Sequence, residues 1–204
     1  MVENNRYAVI MASQSPRRKE LMNRFPLEVS YYPHRLVSEQ TDEGEGKAEQ
    51  EIVVEIALKK LRSMYPVFKK PETVIIAADT MVFYNGVVLG KPSSVKEAEQ
   101  MLRMLSGEWH EVYTGCALSI TERSGREHEI KFWEKTRVKF RKVPMEFISL
   151  YCASQKPLDK AGAYGIQDEG AFLVEKIAGD YYNVMGLPIG RLWELFLDFE
   201  VIHL

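Results

Sequence analysis

The sequence predicts an α/β fold with a mixed sheet and flanking helices. Three observations carry that prediction. Strand-like and helix-like periodicities alternate along the chain. The run Thr73-Val74-Ile75-Ile76-Ala77-Ala78 is its most hydrophobic strand, a continuous apolar stretch typical of a central strand covered on both faces. An Asn85-Gly86 turn and two alternating segments, 109–120 and 127–141, add antiparallel pairing.

At 204 residues the chain can bury one sizeable core, or a core folded into two lobes, and a single domain over 1–204 is the expectation. Its 46% apolar and 27% charged residues are those of a globular protein. A net charge of −2 gives no reason to expect nonspecific binding to nucleic-acid polymers or membranes, so any anion site must be local. The two cysteines, Cys116 and Cys152, lack the spacing of a zinc site or a disulfide framework and read as reduced packing residues. There is no signal-peptide pattern and no apolar segment of the ~20 residues needed to span a bilayer, which leaves a cytoplasmic location by elimination.

The first strand, Tyr7–Met11, runs into Ala12-Ser13-Gln14-Ser15-Pro16-Arg17-Arg18. Ser15-Pro16 places an N-cap before a helix, about 16–25, with Pro at its first position. Two serines and two arginines therefore crowd one strand-to-helix turn, where free N–H groups, the helix dipole and guanidinium forks suit a phosphate or carboxylate. Ordinary capping with a solvated basic face is the alternative. Residues 27–32 alternate as a half-buried strand, and 34–47 form an acidic loop containing Glu39, Asp42, Glu43 and Glu45. Such a loop can bring a hard cation to a phosphate, although an acidic surface is its commoner meaning.

Residues 49–65 carry one apolar helix face and end at Pro66, with Lys59 and Lys60 near the C-terminal half, where the dipole favours them and where one can reach a neighbouring site. The central strand is expected to end at Asp79-Thr80, a carboxylate where open α/β sheets place their ligand crevices. The hairpin at Asn85-Gly86 delivers Gly90-Lys91-Pro92, which holds Lys91 as a partner for Asp79 or for a phosphate. Ser93-Ser94 cap a helix over 95–105. His110 lies in the following strand as a second-tier candidate; Phe132, Trp133, Val138 and Phe140 are expected to be buried in the return strand. A helix from Pro144 to about Ser154 precedes 156–167, a loop dense in small residues. There Asp159, Lys160, Tyr164 and Gln167 offer a charge pair, a stacking ring and an amide for a base edge. Phe172–Ile177 resumes strand character, and an amphipathic helix through Leu192, Leu195 and Phe196 closes the chain.

Four separated segments, Ala-Ser-x-Ser-Pro-Arg-Arg at 12–18, Ala-Asp-Thr at 78–80 with Gly-Lys-Pro at 90–92, Ser-Gly-x-x-His-x-Val-x-Thr-Gly at 106–115 and Asp-Lys-Ala-Gly-Ala-Tyr-Gly-Ile-Gln at 159–167, resemble the Maf family of nucleoside triphosphate pyrophosphatases. Asn183-Val184-Met185-Gly186-Leu187-Pro188 fits as well, so the resemblance spans almost the whole chain. It implies a two-lobed α/β fold with a mixed twisted sheet and a central cleft, shared with inosine triphosphate pyrophosphatases, and commonly a homodimer. It also implies hydrolysis of a nucleoside triphosphate to the monophosphate and pyrophosphate with a divalent metal, usually magnesium, with manganese or cobalt as alternatives. By the same resemblance Asp79 matches the proton acceptor. Arg17, Thr80 and Gln167 match positions tied to substrate choice, and Ser13, Arg18, Lys60, Lys91 and Lys160 match polar positions of the cleft. Glu39 aligns with an acidic position that joins Asp79 at the metal. The loop Ala-Gly-Ala-Tyr-Gly-Ile-Gln is similar to the branch acting on dTTP and UTP, and a glutamine both donates and accepts, as the O4/N3 edge of uracil or thymine requires. Asp168 departs from the family's usual glycine. Two other readings are a noncatalytic nucleotide-binding regulator linked to cell division and a house-cleaning enzyme for modified nucleotides.

Overall fold

The computed structural model describes residues 6–36 and 47–203. Among them seven strands form a mixed sheet: β1 (Ala8–Ala12), β2 (Val29–Tyr32), β3 (Thr73–Tyr84), β4 (Val87–Leu89), β5 (Trp109–Thr121), β6 (Glu127–Phe140) and β7 (Val174–Ala178). The order is β2-β1-β3-β5-β6-β7, with β4 paired to β3. The helices are α1 (Pro16–Met22), α2 (Glu49–Arg62), α3 (Tyr65–Phe68), α4 (Val95–Leu105), α5 (Met145–Ala153), α6 (Tyr181–Met185) and α7 (Ile189–Asp198). The chain divides into two compact units, each described by itself below.

The first unit draws its described residues from Met1–Asp79, Thr114–Glu134 and Gly186–Leu204. Here β1 pairs in parallel with β2 and with Thr73–Ile76 of β3. Both strands read as apolar runs because both faces are covered: Ile10, Ala12, Ile75 and Ala77 pack with Ala57, Leu61 and Met64 of the α2 side and with Ala117. The expected helix over 49–65 is two pieces. The second begins at Tyr65 with Pro66 in its first turn, a position where the missing N–H and fixed φ of proline are tolerated, so Pro66 starts a helix and does not close one. The first helix stops at Met22, earlier than its apolar residues suggest, although Phe25 is still buried and packs edge-on to Phe196.

The second unit holds Thr80–Tyr113 and Lys135–Met185. Its hairpin forms as the Asn-Gly signal requires: Asn85 and Gly86 have φ of 51° and 76°, the two left-handed residues of a type I′ turn, and Val82–Tyr84 pair antiparallel with Val87–Leu89. Ser94 accepts from the Glu97 N–H at the start of α4, while the Glu97 carboxylate receives the Ser93 N–H and hydroxyl, so both serines cap. Helix α4 packs on α5 and on the 161–163 segment. Strand β7 lies antiparallel to β6 with a register irregularity between Lys139 and Phe140.

Two sequence expectations are corrected. β3 does not end at Asp79-Thr80: it is one unbroken strand of 12 residues, so Asp79 projects from its interior. A carboxylate does not stop a strand when β-forming residues flank it on both sides. Trp133 is 47% exposed and not buried, because the period-2 alternation of β6 gives the inward face to the even positions Thr136, Val138 and Phe140.

Packing in the first unit is tight enough to dictate a glycine. A Cβ at Gly115 of β5 would stand 2.3 Å from the carbonyl carbon of Val53 in α2, and backbone cannot step aside as a side chain can. Gly115→Ala is expected to cost about 3 kcal/mol, the upper end for overpacking, read as a lower denaturant midpoint at unchanged m-value.

Candidate active site

In the first unit the strand-to-helix turn forms where the sequence placed it. Ser13 is buried, and its Oγ accepts the Ser15 N–H at 3.2 Å, which closes the turn. Ser15 takes the N-cap position with extended backbone but makes no side-chain cap bond, and no acidic residue stands in the first turn of α1. Arg17 and Arg18 are half-buried there. Arg18 also serves the fold: its Nε donates to the Gly186 carbonyl at 2.9 Å and ties α1 to the segment that enters α7.

The centre of this unit's polar chemistry is a buried ion pair. Along β3, period 2 puts Ile75, Ala77 and Asp79 on one face. Along α2, the buried positions Val53, Ile56, Ala57, Lys60 and Leu61 share one stripe. The apolar members of both rows meet in the core, and the polar members meet beyond them: Lys60 Nζ donates to Asp79 Oδ1 at 2.7 Å, with side chains only 6% and 11% exposed. Lys59, one position away, faces outward and pairs with Glu55 at 2.9 Å. A lysine on an otherwise apolar helix stripe is the sequence signal that separates these two neighbours.

Glu39 lies outside the described residues, as do Asp42, Glu43 and Glu45. Among the described residues no three His, Cys, Asp or Glu side chains gather as a ready metal cage. Asp79 is nonetheless the kind of oxygen donor a hard cation takes, and magnesium is commonly held by one or two carboxylates together with substrate phosphates. Among the described residues Asp79 is one such carboxylate, with its Oδ1 engaged by Lys60.

In the second unit Thr80 is half-buried and Lys91 exposed. The segment bearing Lys91 is anchored by its backbone, since the Gly90 carbonyl accepts the Gly162 N–H at 3.1 Å. Residues 156–173 form three short 3₁₀ turns, over Lys156–Asp159, Ala161–Ala163 and Glu169–Leu173. Lys160 is buried, with its ammonium 2.6 Å from Asp159 Oδ1 and 3.5 Å from Asp168 Oδ2, and it donates to the Lys156 carbonyl. Gln167 is half-buried, and its Oε1 is shielded from solvent with no hydrogen-bond partner among the described residues. Such an acceptor is costly to leave unfilled and is suited to an incoming N–H.

Tyr164 is not offered for stacking on a base. It is buried edge-on to Phe140 and His110, and its hydroxyl lies 2.8 Å from His110 Nε2. Burial lowers the His110 pKa to about 3, so the ring is neutral, and it raises the Tyr164 hydroxyl far above its usual range. His110 therefore supports the 161–167 loop from within the core. The sequence reading missed Tyr151, whose hydroxyl accepts the Gly165 N–H at 3.2 Å and donates to Asp168 Oδ1 at 3.1 Å. Cys116 and Cys152 are free and buried, with thiols pushed up to about 12 and about 11 by desolvation, as packing residues should be.

A family model described as Maf-like protein matches residues 8–199. A dTTP/UTP pyrophosphatase of Thermosipho melanesiensis is 44% identical over 194 residues, covering 95% of this chain and 99% of the relative. One of the same description from Bacillus cytotoxicus is 44% identical over 193 residues, covering 94% and 95%. A solved structure of a HAM1 protein from Coxiella burnetii aligns over 94% of this chain and 99% of its own at 14% identity and a TM-score of 0.46, too distant to bear on the site.

The neutral His110 has a measurable consequence. Its folded pKa of about 3 lies below the ordinary 6.5, so between those values the unfolded chain binds a proton that the folded chain refuses. The associated stability is fully present above pH ~6.5 and is lost as pH falls toward about 3. Thermal midpoints recorded from pH 7 down to 4 should fall less steeply in His110→Gln than in the parent protein.

Proposed function

The chain belongs to the Maf-like family, and from that membership we propose that it hydrolyses dTTP and UTP to the nucleoside monophosphate and pyrophosphate. The observation that carries the reading is the buried Asp79 carboxylate, held by Lys60, in a chain matched end to end by relatives named for that activity. In the reaction a water oxygen bonds to the α phosphorus while the α–β anhydride bond breaks, and pyrophosphate leaves. Asp79 orients the water and accepts its proton. Lys60 holds the carboxylate in place. Ser13, Arg17, Arg18 and Lys60 from the first unit and Thr80, Lys91, Lys160 and Gln167 from the second are assigned to the substrate by their motifs, the cations neutralising the triphosphate. Gln167 Oε1, which lacks a partner, accepts the N3–H of uracil or thymine while its amide nitrogen donates to O4.

A divalent cation, magnesium in this reading, would be held by Asp79 and Glu39 and would supply charge neutralisation and Lewis acidity at the phosphates. No helix among the described residues is long and apolar enough to cross a membrane. A cytoplasmic homodimer completes the proposal, and a family match over residues 8–199 that runs through both units supports reading 1–204 as one functional domain.

Pyrophosphate release from a panel of nucleoside triphosphates with magnesium tests the reaction. Asp79→Asn should lower kcat by about 10²- to 10⁴-fold with the near-ultraviolet circular dichroism retained. Near-normal turnover in that variant, or binding of dTTP without turnover by the parent protein, would overturn the assignment. Gln167→Ala should narrow the kcat/KM preference for dTTP and UTP over dCTP and dATP by about tenfold, the worth of one lost base-edge contact; an unchanged preference would place base selection elsewhere.

A further inference from the structure

We propose that Asp168 sets the strength of triphosphate binding by clamping Lys160. The inference rests on the reading that Lys160 meets the triphosphate, and it adds a residue that does not itself touch substrate. An ammonium has three donors, and the protein supplies three acceptors around Lys160: Asp159 Oδ1 at 2.6 Å, the Lys156 carbonyl, and Asp168 Oδ2 at 3.5 Å. A phosphate oxygen therefore reaches this cation only in competition with groups already there.

The two carboxylates are not equivalent. Asp159 is 61% exposed, so solvent screens its charge. Asp168 is 21% exposed and fixed: its Oδ1 accepts the Gly170 N–H at 2.9 Å, as the cap of the 169–173 turn, and the Tyr151 hydroxyl at 3.1 Å. The other oxygen is thereby aimed at Lys160. Close approach of the pair is built into the backbone, because a Cβ on Gly165 would stand 2.6 Å from Asp168 Oδ2 and 2.7 Å from Lys160 Cε. The carboxylate is thus rigid, partly desolvated and permanently beside a cation assigned to phosphate. It lowers the net positive charge offered there and makes both product and substrate easier to release.

Asp168→Asn keeps the cap acceptor and removes only the charge. It should lower KM for dTTP about fivefold with a smaller change in kcat, and should lower the Kd for inorganic pyrophosphate, measured by calorimetry, by a similar factor. Both gains should shrink as sodium chloride is raised, and both should vanish in a Lys160→Met background, where there is no cation left to release. Asp168→Ser, also a good capping residue, repeats the test should the asparagine variant fold poorly. Unchanged or weaker pyrophosphate binding in the charge-removed variants overturns the clamp, as does a gain that persists without Lys160, which would mean direct repulsion by Asp168. Failure of the parent protein to release pyrophosphate from dTTP or UTP would instead overturn the proposed reaction, and the pyrophosphate Kd values would still decide the clamp.

Discussion

A charge buried in the core of an α/β protein is tolerable only when its partner is built in with it, and the Lys60–Asp79 pair is the constraint on which the first unit depends. Removing two ions from water costs several kcal/mol per ion, which the pair offsets only through close geometry. Here that geometry comes from two regular periods. The odd face of β3 carries Ile75 and Ala77 into the same cluster that receives Ala57 and Leu61 of α2, so Asp79, next on the strand face, and Lys60, on the same helix stripe between Ala57 and Leu61, meet at 2.7 Å. The hydrophobic contacts fix the helix on the strand, and the helix position fixes the charge. Gly115, beneath the backbone of Val53, admits α2 to that closeness.

The second unit meets a different demand. A loop built of small residues must take its rigidity from its neighbours. The 161–167 segment supplies small residues and borrows its rigidity from outside: the Tyr164 hydroxyl on His110, the Tyr151 hydroxyl on the Gly165 N–H, and the Asp168 carboxylate on Tyr151 and Gly170. His110 is neutral because it is buried, which suits a supporting partner and removes it from acid–base chemistry near pH 7. Asp168, which departs from the family's usual glycine, is part of what holds the loop together.

Much of this was legible in the residue pattern. The apolar run at 73–78, the Asn85-Gly86 turn with its two left-handed residues and the serine caps before Val95 became the elements they announced, because each is governed by local chemistry over a few residues. Lys60 was named before its partner was visible, although the helix dipole explained it equally well. Failures came where neighbours several elements away decided the outcome. The strand continued through Asp79, whose flanking residues favour a strand and whose carboxylate Lys60 satisfied; Trp133 stayed outside because its strand faced the core with even positions; Tyr164 turned inward because His110 and Phe140 offered a partner and a surface.

The sequence by itself determined the class of fold, the order of its elements, the family resemblance and which polar residues stand in its motifs. Those properties reside in periodicity and in residue chemistry, both of which are written along the chain. Only the tertiary structure decided which of those groups are partnered. It gave Asp79 to Lys60 and not to solvent, committed the Nε of Arg18 to the Gly186 carbonyl, enclosed Lys160 between two carboxylates, and left Gln167 Oε1 without a donor among the described residues. Burial and ångström-scale distance set the strength of every polar interaction, and neither is fixed until distant segments have packed.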